Sequence, residues 1–215
     1  MSGNIAEQII KSLDSSRPAL IVDADEVLLR FVERMETFFP TKGYDLKLES
    51  FQLLGNIYKQ GSGQAADQAT VKGLISDFFD ECVDDIPAVE SAADSLAVLS
   101  EYFNILVLSN VPERCRDRRE RSLKNLGMNY PVIANKGSKG PMVKTIADKI
   151  CQGTNFIDDL PPNHTSVASH SPDTHRIHFI ADPRLSSFIP KAADAHVRYE
   201  SWVEIKDNLI KNMDM

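Results

Sequence analysis

Short apolar runs that end in polar or turn residues recur along the chain and constrain its fold more than any other feature. They alternate with longer amphipathic stretches of helical periodicity. Continuous apolar strands separated by helices are typical of a parallel sheet covered on both faces. The sequence therefore predicts an α/β fold with a doubly wound, mostly parallel, Rossmann-like sheet. The runs are residues 19–23, 104–109, 131–135, 154–159, 176–182 and 195–199.

The connection between the first two runs is longer than one crossover helix requires. It spans about eighty residues, whereas a whole crossover with its helix needs only about a dozen. A chain of 215 residues suits one domain or a core with a smaller insertion. We therefore expect a helical cap at residues 29–87, inserted into a core of residues 1–28 and 88–215. The predicted cap helices cover residues 28–39, 48–60 and 69–83, with a glycine-containing turn at 61–63.

Polar side chains follow four of the predicted strands. Ligands of an open parallel sheet bind beyond the carboxyl ends of its strands, so these side chains are expected to converge. Clustered carboxylates repel one another unless a cation binds among them, and all-oxygen ligation suits Mg²⁺. The remaining hydroxyl and ammonium groups suit an anion such as phosphate. The residues are Asp23, Asp25, Ser109, Asn110, Lys139, Asp158 and Asp159.

The order of these motifs resembles that of the haloacid dehalogenase-like (HAD) hydrolase superfamily. The segments "VDADEV", "LVLSN", "SKG" before a helix, and "FIDDL" are similar to the four motifs of that superfamily. The resemblance covers residues 19–200, and the long connection falls where the superfamily carries a helical cap. It implies a Mg²⁺-dependent phosphatase that hydrolyses a small phosphorylated metabolite through an aspartyl-phosphate intermediate.

The resemblance also implies roles for the carboxylates. Asp23 resembles the nucleophile. Asp25 resembles the acid/base that protonates the leaving group and then activates water, and its backbone carbonyl would bind the metal. Asp158 and Asp159 look like the acidic pair that completes the magnesium shell. The expected metal site is therefore Asp23, Asp25, Asp158 and Asp159.

The phosphate-binding residues are expected on two other loops. Ser109 resembles the hydroxyl that binds the phosphoryl oxygens, and Asn110 follows it in the same motif. Lys139 is similar to the lysine that balances the charge of nucleophile and phosphate. Lys136 and Lys144 lie close by in sequence, but Lys139 comes immediately before the helix predicted to start near residue 141, whereas Lys144 lies within that helix.

Two features leave questions open. Glu26 stands where members of the superfamily often have a small residue, and a carboxylate pointing inward there would weaken anion binding. Histidines cluster after the fourth motif, at spacings that match no zinc site. Structural roles are expected for them, although the first of them follows the motif closely enough to line the site. They are His164, His170, His175 and His178.

Other functions fit parts of this pattern. The resemblance implies that a carbon–halogen hydrolase of this fold dispenses with the second aspartate and the metal-binding pair. In a response-regulator receiver domain the acidic pair comes first and the lysine last, whereas here the lysine precedes the final pair. A phosphotransferase would share the aspartyl-phosphate. A non-catalytic binding protein would be marked by loss of a motif carboxylate, and none is lost.

Charge and composition limit the possible partners. A net charge of −7 argues against binding to a nucleic-acid backbone. The basic run at residues 113–124 alternates arginine with acidic residues, which predicts a solvated helix that pairs with itself. No segment is apolar enough to span a bilayer or to form a secretory h-region. Three scattered cysteines fit a reducing cytoplasm. We expect a small phosphorylated substrate as partner; the oligomeric state has no signature in the sequence.

Overall fold

The computed structural model describes residues 2–213, with side chains from residue 5 onward. This part of the chain contains eight strands and nine α-helices. The strands are β1 (Ala19–Val22), β2 (Tyr44–Leu46), β3 (Ile57–Lys59), β4 (Asn104–Ser109), β5 (Val132–Ala134), β6 (Thr154–Asp158), β7 (His175–His178) and β8 (Val197–Arg198). The helices are α1 (Ser2–Ser12), α2 (Phe31–Phe38), α3 (Gln68–Cys82), α4 (Ala92–Leu99), α5 (Arg116–Asn125), α6 (Gly140–Ala147), α7 (Pro161–His170), α8 (Pro183–Ser186) and α9 (Trp202–Lys211). None of these helices is long and apolar enough to cross a membrane.

Six parallel strands form one sheet in the order β5-β4-β1-β6-β7-β8. The central strand β1 pairs with Asn104–Val107 of β4 on one side and with Thr154–Ile157 of β6 on the other. The predicted doubly wound α/β fold is confirmed. Because the strands run in one direction, their carboxyl ends lie along a single edge of the sheet.

Helices cover both faces of this sheet, which explains the uninterrupted apolar runs. Successive residues of a strand point to opposite faces. Leu20 and Val22 belong to the hydrophobic cluster that contains Trp202 of α9, whereas Ile21 belongs to the cluster that contains Val143 of α6. All five side chains are fully buried. Complete burial of a side chain of this size contributes about 1.5–3 kcal/mol relative to exposure.

The chain leaves the core after β1 and returns to it before α4, at two adjacent backbone segments. Leu29 forms a β-bridge with Ala88, and the N–H of Arg30 donates to the carbonyl of Pro87 at 2.8 Å. The residues between them form α2, a short 3₁₀ helix, the antiparallel hairpin β2–β3 and α3. This insertion, which we call the cap, is therefore a mixture of helix and hairpin.

Residues 48–60 do not form the helix that their apolar spacing predicts, so that prediction is wrong. Gly55 has a φ of +93°, in the left-handed region that glycine adopts without strain. The Asn56 amide donates to the carbonyl of Ser50 at 2.7 Å, a local bond that competes with helix formation. Ile57–Lys59 then pair with Tyr44–Leu46. A side-chain-supported loop and a hairpin therefore replace the helical hydrogen bonds.

Arginines of the basic run at residues 113–124 pair with acidic residues of the cap, which corrects the prediction that the charges of this run pair with one another. Arg116 does pair within its own helix. Arg114, just before α5, and Arg118 pair instead with cap carboxylates on α3 and just after it, with nitrogen–oxygen distances of 2.7 and 2.8 Å. The pairs are Arg114–Asp80 and Arg118–Asp84. The sequence pattern indicated local pairing because acidic partners lie at helical spacing, whereas the fold brings a second acidic helix alongside.

Candidate active site

The side chain of Lys139 lies between two carboxylates at the carboxyl edge of the sheet. Its Nζ is 2.6 Å from Oδ1 of Asp23, just after β1, and 2.7 Å from Oδ2 of Asp158, at the end of β6. Lys139 precedes the first turn of α6, which packs closely on α7. A Cβ on Gly140 would lie only 2.3 Å from the carbonyl oxygen of Ser166. Glycine at this position therefore lets α6 approach α7 and aim Lys139 at the site.

Lys139 is the lysine of its segment that reaches the site. It is buried, whereas Lys136 is exposed and Lys144 pairs at the surface with Asp148 at 2.9 Å. Burial alone lowers the pKa of Lys139, but the charges of Asp158 and Asp23 outweigh burial and the net pKa is raised. The ammonium group is therefore charged at physiological pH.

Three buried carboxylates, those of Asp23, Asp158 and Asp159, each offer an oxygen within 4.8 Å of the others. Burial raises the pKa of Asp23 to about 7, Lys139 opposes the rise, and the charges of Asp158 and Asp25 add to it. Burial, followed by the charges of Asp158 and Asp23, also raises the pKa of Asp159 well above its ordinary value. The single positive charge of Lys139 does not balance the negative charge of three carboxylates, so the site fits a hard divalent cation such as Mg²⁺.

The two motif carboxylates of β6 have different surroundings. Asp158 is fully buried and accepts hydrogen bonds from the backbone N–H of Leu160 and the amide of Asn163, both at 2.9 Å, in addition to Lys139. The carboxylate of Asp159 has no hydrogen-bond partner among residues 5–213 and lines a cavity. Asp158 therefore orients Lys139, and Asp159 is the carboxylate free to bind a cation.

Two buried histidines form hydrogen bonds with the backbone carbonyls of this acidic pair. Nε2 of His178 lies 2.9 Å from the carbonyl of Asp159, while its Nδ1 accepts from the N–H of Ala192 at 3.1 Å. His178 therefore carries its proton on Nε2. Nε2 of His164 lies 3.0 Å from the carbonyl of Asp158, and both rings are fully buried. Burial lowers the pKa of His178 to about 4, so this histidine supports the site as a neutral ring.

The other two clustered histidines lie away from the carboxylates. His170 is exposed, and its Nδ1 lies 2.8 Å from the carbonyl of Ser166 on its own helix. His175 stacks on His196, with ring centroids 4.9 Å apart. Neither contacts the acidic cluster.

The predicted phosphate-binding pair ends β4. Ser109 is fully buried, and its Oγ accepts from the N–H of Val111 at 3.2 Å, which leaves the hydroxyl proton to donate elsewhere. The Asn110 side chain donates to the carbonyl of Gly137 at 3.0 Å and accepts from Asn135 at 2.8 Å. Its amide therefore ties the β4 loop to the loop before Lys139. The Asn110 amide has a second N–H group, so its contact with phosphate stays a prediction.

Glu26 joins the cap to the core. Its carboxylate accepts from the N–H of Val32, in the first turn of α2, at 2.7 Å and from the N–H of Asp182, after β7, at 3.1 Å. These bonds satisfy a helix N-terminus, where negative charge is favourable. Burial raises the pKa of Glu26 to about 7, with the two N–H groups opposing the rise. Its φ of +58° costs on the order of 1 kcal/mol.

No protein-family model matches the chain, and no curated protein does. Solved structures do match. A HAD family hydrolase from Deinococcus radiodurans R1, with bound phosphate and sodium, aligns with a TM-score of 0.64 over 92% of this chain and 97% of that one, at 15% identity. A haloacid dehalogenase-like family protein from Streptococcus pneumoniae aligns with a TM-score of 0.61 over 92% and 100%, at 11% identity. A Bacillus subtilis protein assigned as a HAD hydrolase and bound to magnesium gives 0.63 over 90% and 99%, at 12% identity.

This chain has the HAD-like fold. With identities of 11% to 15%, the likeness is one of fold. More than nine-tenths of each chain aligns in the first two comparisons.

One charged residue beside these carboxylates was missed by the motif analysis. Nη2 of Arg119, on α5, lies 2.8 Å from Oδ1 of Asp25. The guanidinium is fully buried and lies 5.9 Å from the ring centroid of Phe79 in the cap. Its N–H groups are not directed along the contact with Asp25, and its three nitrogens have no hydrogen-bond partner within residues 5–213. Arg119 is therefore a buried cation whose close charged neighbour is Asp25.

A sequence signal for Arg119 did exist. Cys115, Arg119 and Leu123 follow one another at a spacing of four, which is one face of a helix, and all three are buried. An arginine on the apolar face of a helix requires a buried anionic partner. The surrounding run of charges concealed this position.

A cavity of about 200 Å³ lies over the carboxyl edge of the sheet, between the core and the cap. Asp23, Asp25, Asp159 and Lys139 line its floor. A larger cleft of about 710 Å³ lies on the other side of Glu26 and contains none of these four residues. The smaller cavity is therefore the candidate substrate site.

Proposed function

We propose that this protein is a Mg²⁺-dependent phosphatase that hydrolyses a small phosphate monoester through a phosphoenzyme on Asp23. The observation that carries the proposal is the position of Lys139 between Asp23 and Asp158, beside the open carboxylate of Asp159. An ammonium and a bound cation at one cavity floor suit the charge of a transferring phosphoryl group.

The metal would be held by the side chains of Asp23 and Asp159 and, by resemblance, by the backbone carbonyl of Asp25. The raised pKa values of Asp23 and Asp159 and the oxygen-only donor set support this assignment. When bound, Mg²⁺ would neutralise the charge of the phosphoryl oxygens and so allow an anionic substrate to approach carboxylates.

In the first step, Asp23 attacks the phosphorus atom and the bond to the leaving-group oxygen breaks. Lys139 keeps Asp23 oriented through its 2.6 Å contact and supplies positive charge beside the phosphoryl group. The free hydroxyl proton of Ser109 would donate to a phosphoryl oxygen. The leaving alcohol takes a proton from Asp25.

In the second step, Asp25 takes a proton from water, which attacks the aspartyl-phosphate and releases phosphate. Oδ1 of Asp25 is buried against Arg119, while the side chain as a whole is 20% exposed and lines the cavity. The exposed part therefore belongs to its other atoms. Arg119 would fix one oxygen and so direct the other at the leaving group.

Two alternatives predict different products. A carbon–halogen hydrolase would need neither the open carboxylate of Asp159 nor a metal, so the acidic cluster favours phosphoryl chemistry. A phosphotransferase would pass the phosphoryl group to an acceptor other than water. Release of inorganic phosphate, measured beside release of the alcohol, separates these outcomes.

The test is hydrolysis of p-nitrophenyl phosphate by the purified chain with Mg²⁺ and with excess chelator. We expect turnover with Mg²⁺, loss of turnover in chelator and loss in Asp23→Asn. Asp117→Asn, an exposed change on α5, is the matched control and should keep wild-type activity. Full turnover in chelator, or an active Asp23→Asn, would refute the proposal.

A further inference from the structure

Eight of the eleven uncharged residues that line the cavity above Asp23 are apolar; the others are Ser50, Asn56 and, after β4, Asn110. The cap contributes six of the apolar side chains, and the core adds Leu160 and Leu185. A surface of this kind gains free energy by contact with apolar groups and offers no partner to polar ones. The cap residues are Phe31, Val32, Met35, Leu48, Phe51 and Leu53.

The charged groups of the cavity all belong to its floor. They are four carboxylates and one cation, Lys139, which already contacts Asp23 and Asp158. Among the described residues, no lysine or arginine of the cap lines the cavity. A second phosphate or a carboxylate on the leaving group would therefore be buried without a counter-charge, which is costly.

The two polar side chains that the cap contributes are Ser50 and Asn56. Asn56 is buried and donates to the carbonyl of Ser50 at 2.7 Å. The Ser50 hydroxyl lies 3.4 Å from the Asn56 amide oxygen. Both serve the loop that replaces the predicted helix, so the hydroxyl groups of a sugar would lose water and gain few partners.

We propose that the leaving group is the alcohol or phenol of a small apolar phosphate monoester, seated against the cap and carrying no second charge. This inference rests on the proposed phosphatase function and narrows its substrate class. The cavity volume of about 200 Å³ lies below the range of about 300–1,000 Å³ that is usual for ligand pockets. It admits the phosphoryl group with a short alkyl chain or one small ring.

The direct test compares two substrates that differ by two hydroxyl groups, n-propyl phosphate and glycerol 3-phosphate. We expect kcat/KM with Mg²⁺ to be at least about fivefold higher for n-propyl phosphate, because each buried unpaired hydroxyl weakens binding. From methyl to propyl phosphate, kcat/KM should rise about threefold to fourfold per methylene. A smaller preference for n-propyl phosphate over glycerol 3-phosphate would overturn the inference.

Adjacent leucines provide a matched pair of variants. Leu53 lines the cavity, whereas Leu54 is 49% exposed and does not. Leu53→Asn should reduce the preference for n-propyl phosphate at least threefold, and Leu54→Asn should leave it unchanged. Because the readout is a ratio between two substrates of one enzyme, partial misfolding does not alter it. Equal ratios in both variants would count against the cap wall as the selective surface.

Phosphonates separate this inference from the proposed reaction. Propylphosphonate and 2,3-dihydroxypropylphosphonate contain no ester to hydrolyse, so calorimetry with Mg²⁺ measures their binding alone. We expect propylphosphonate to bind at least about fivefold more tightly. If no ester is hydrolysed but this preference is found, the phosphatase proposal fails and the apolar site stands. If esters are hydrolysed without the preference, the inference on substrate class fails alone.

Discussion

Removing the Lys139 ammonium should damage both stability and catalysis, because the group serves two buried carboxylates. In Lys139→Met, Asp23 and Asp158 lose contacts of 2.6 and 2.7 Å while the chain keeps a side chain of similar length. Breaking a buried ion pair typically costs about 3–5 kcal/mol. A carboxyl group can instead bind a proton, which at pH 7 costs about 4 kcal/mol for a group of ordinary pKa and less for Asp23, whose pKa is already about 7.

The free energy of unfolding in chelator should therefore fall by about 2–4 kcal/mol, and part of the loss should return with Mg²⁺, which supplies the missing charge. The loss of kcat/KM should be about 10²- to 10³-fold, as for one strong transition-state contact. Urea denaturation and p-nitrophenyl phosphate kinetics measure the two effects. Lys144→Met, which removes a surface pair with Asp148, is the control. An active and stable Lys139→Met, or a crippled control, would refute the reasoning.

Three further perturbations test other parts of the site. Arg119→Met should lower kcat for alkyl phosphates about tenfold more than for p-nitrophenyl phosphate, because Asp25 then loses its orienting partner and only the alkyl leaving group needs a proton. The exposed Arg121→Met should change kcat for neither substrate. Equal losses of kcat on both substrates in Arg119→Met would contradict this role. Mg²⁺ at about 100 times its Kd should stabilise the wild type by about 2.7 kcal/mol, measured by thermal denaturation, and Asp159→Asn should abolish this stabilisation. An undiminished stabilisation in Asp159→Asn would show that Asp159 does not bind the metal. Glu26→Gln should lower the free energy of unfolding, measured by urea denaturation, by about 1–3 kcal/mol, since an amide accepts from one of the two N–H groups and repels the other. An unchanged midpoint of urea denaturation would contradict that account.

The parallel sheet could be predicted from the sequence because a strand buried on both faces requires consecutive apolar residues. The central strands β1 and β4 contain unbroken apolar runs, and the polar residues at the ends of β1, β4 and β6 must meet at one edge. The convergence of Asp23, Lys139 and Asp158 follows from that geometry. Local pattern and global fold agree here, which is the condition under which sequence reasoning succeeds.

Features that depend on contacts distant in sequence could not be predicted in this way. The apolar spacing of residues 48–60 fits a helix, but Gly55, the Asn56 side chain and pairing with β2 determine a loop and hairpin. The partners of Glu26 are two backbone N–H groups, one of which lies 156 residues away. The Asp80–Arg114 pair likewise depends on α3 lying against the turn that precedes α5. No local sequence pattern indicates contacts between residues so far apart in the chain.

The separate roles of the two aspartates after β1 are the central claim, and pre-steady-state hydrolysis of p-nitrophenyl phosphate tests them most directly. Asp25→Asn keeps the nucleophile and loses the acid/base. Nitrophenolate needs little protonation to depart, so this variant should give a burst near one equivalent of nitrophenol per enzyme, followed by slow turnover. Asp23→Asn has no nucleophile and should give no burst. A burst from Asp23→Asn, or equal slow turnover without a burst from both variants, would contradict the assignment.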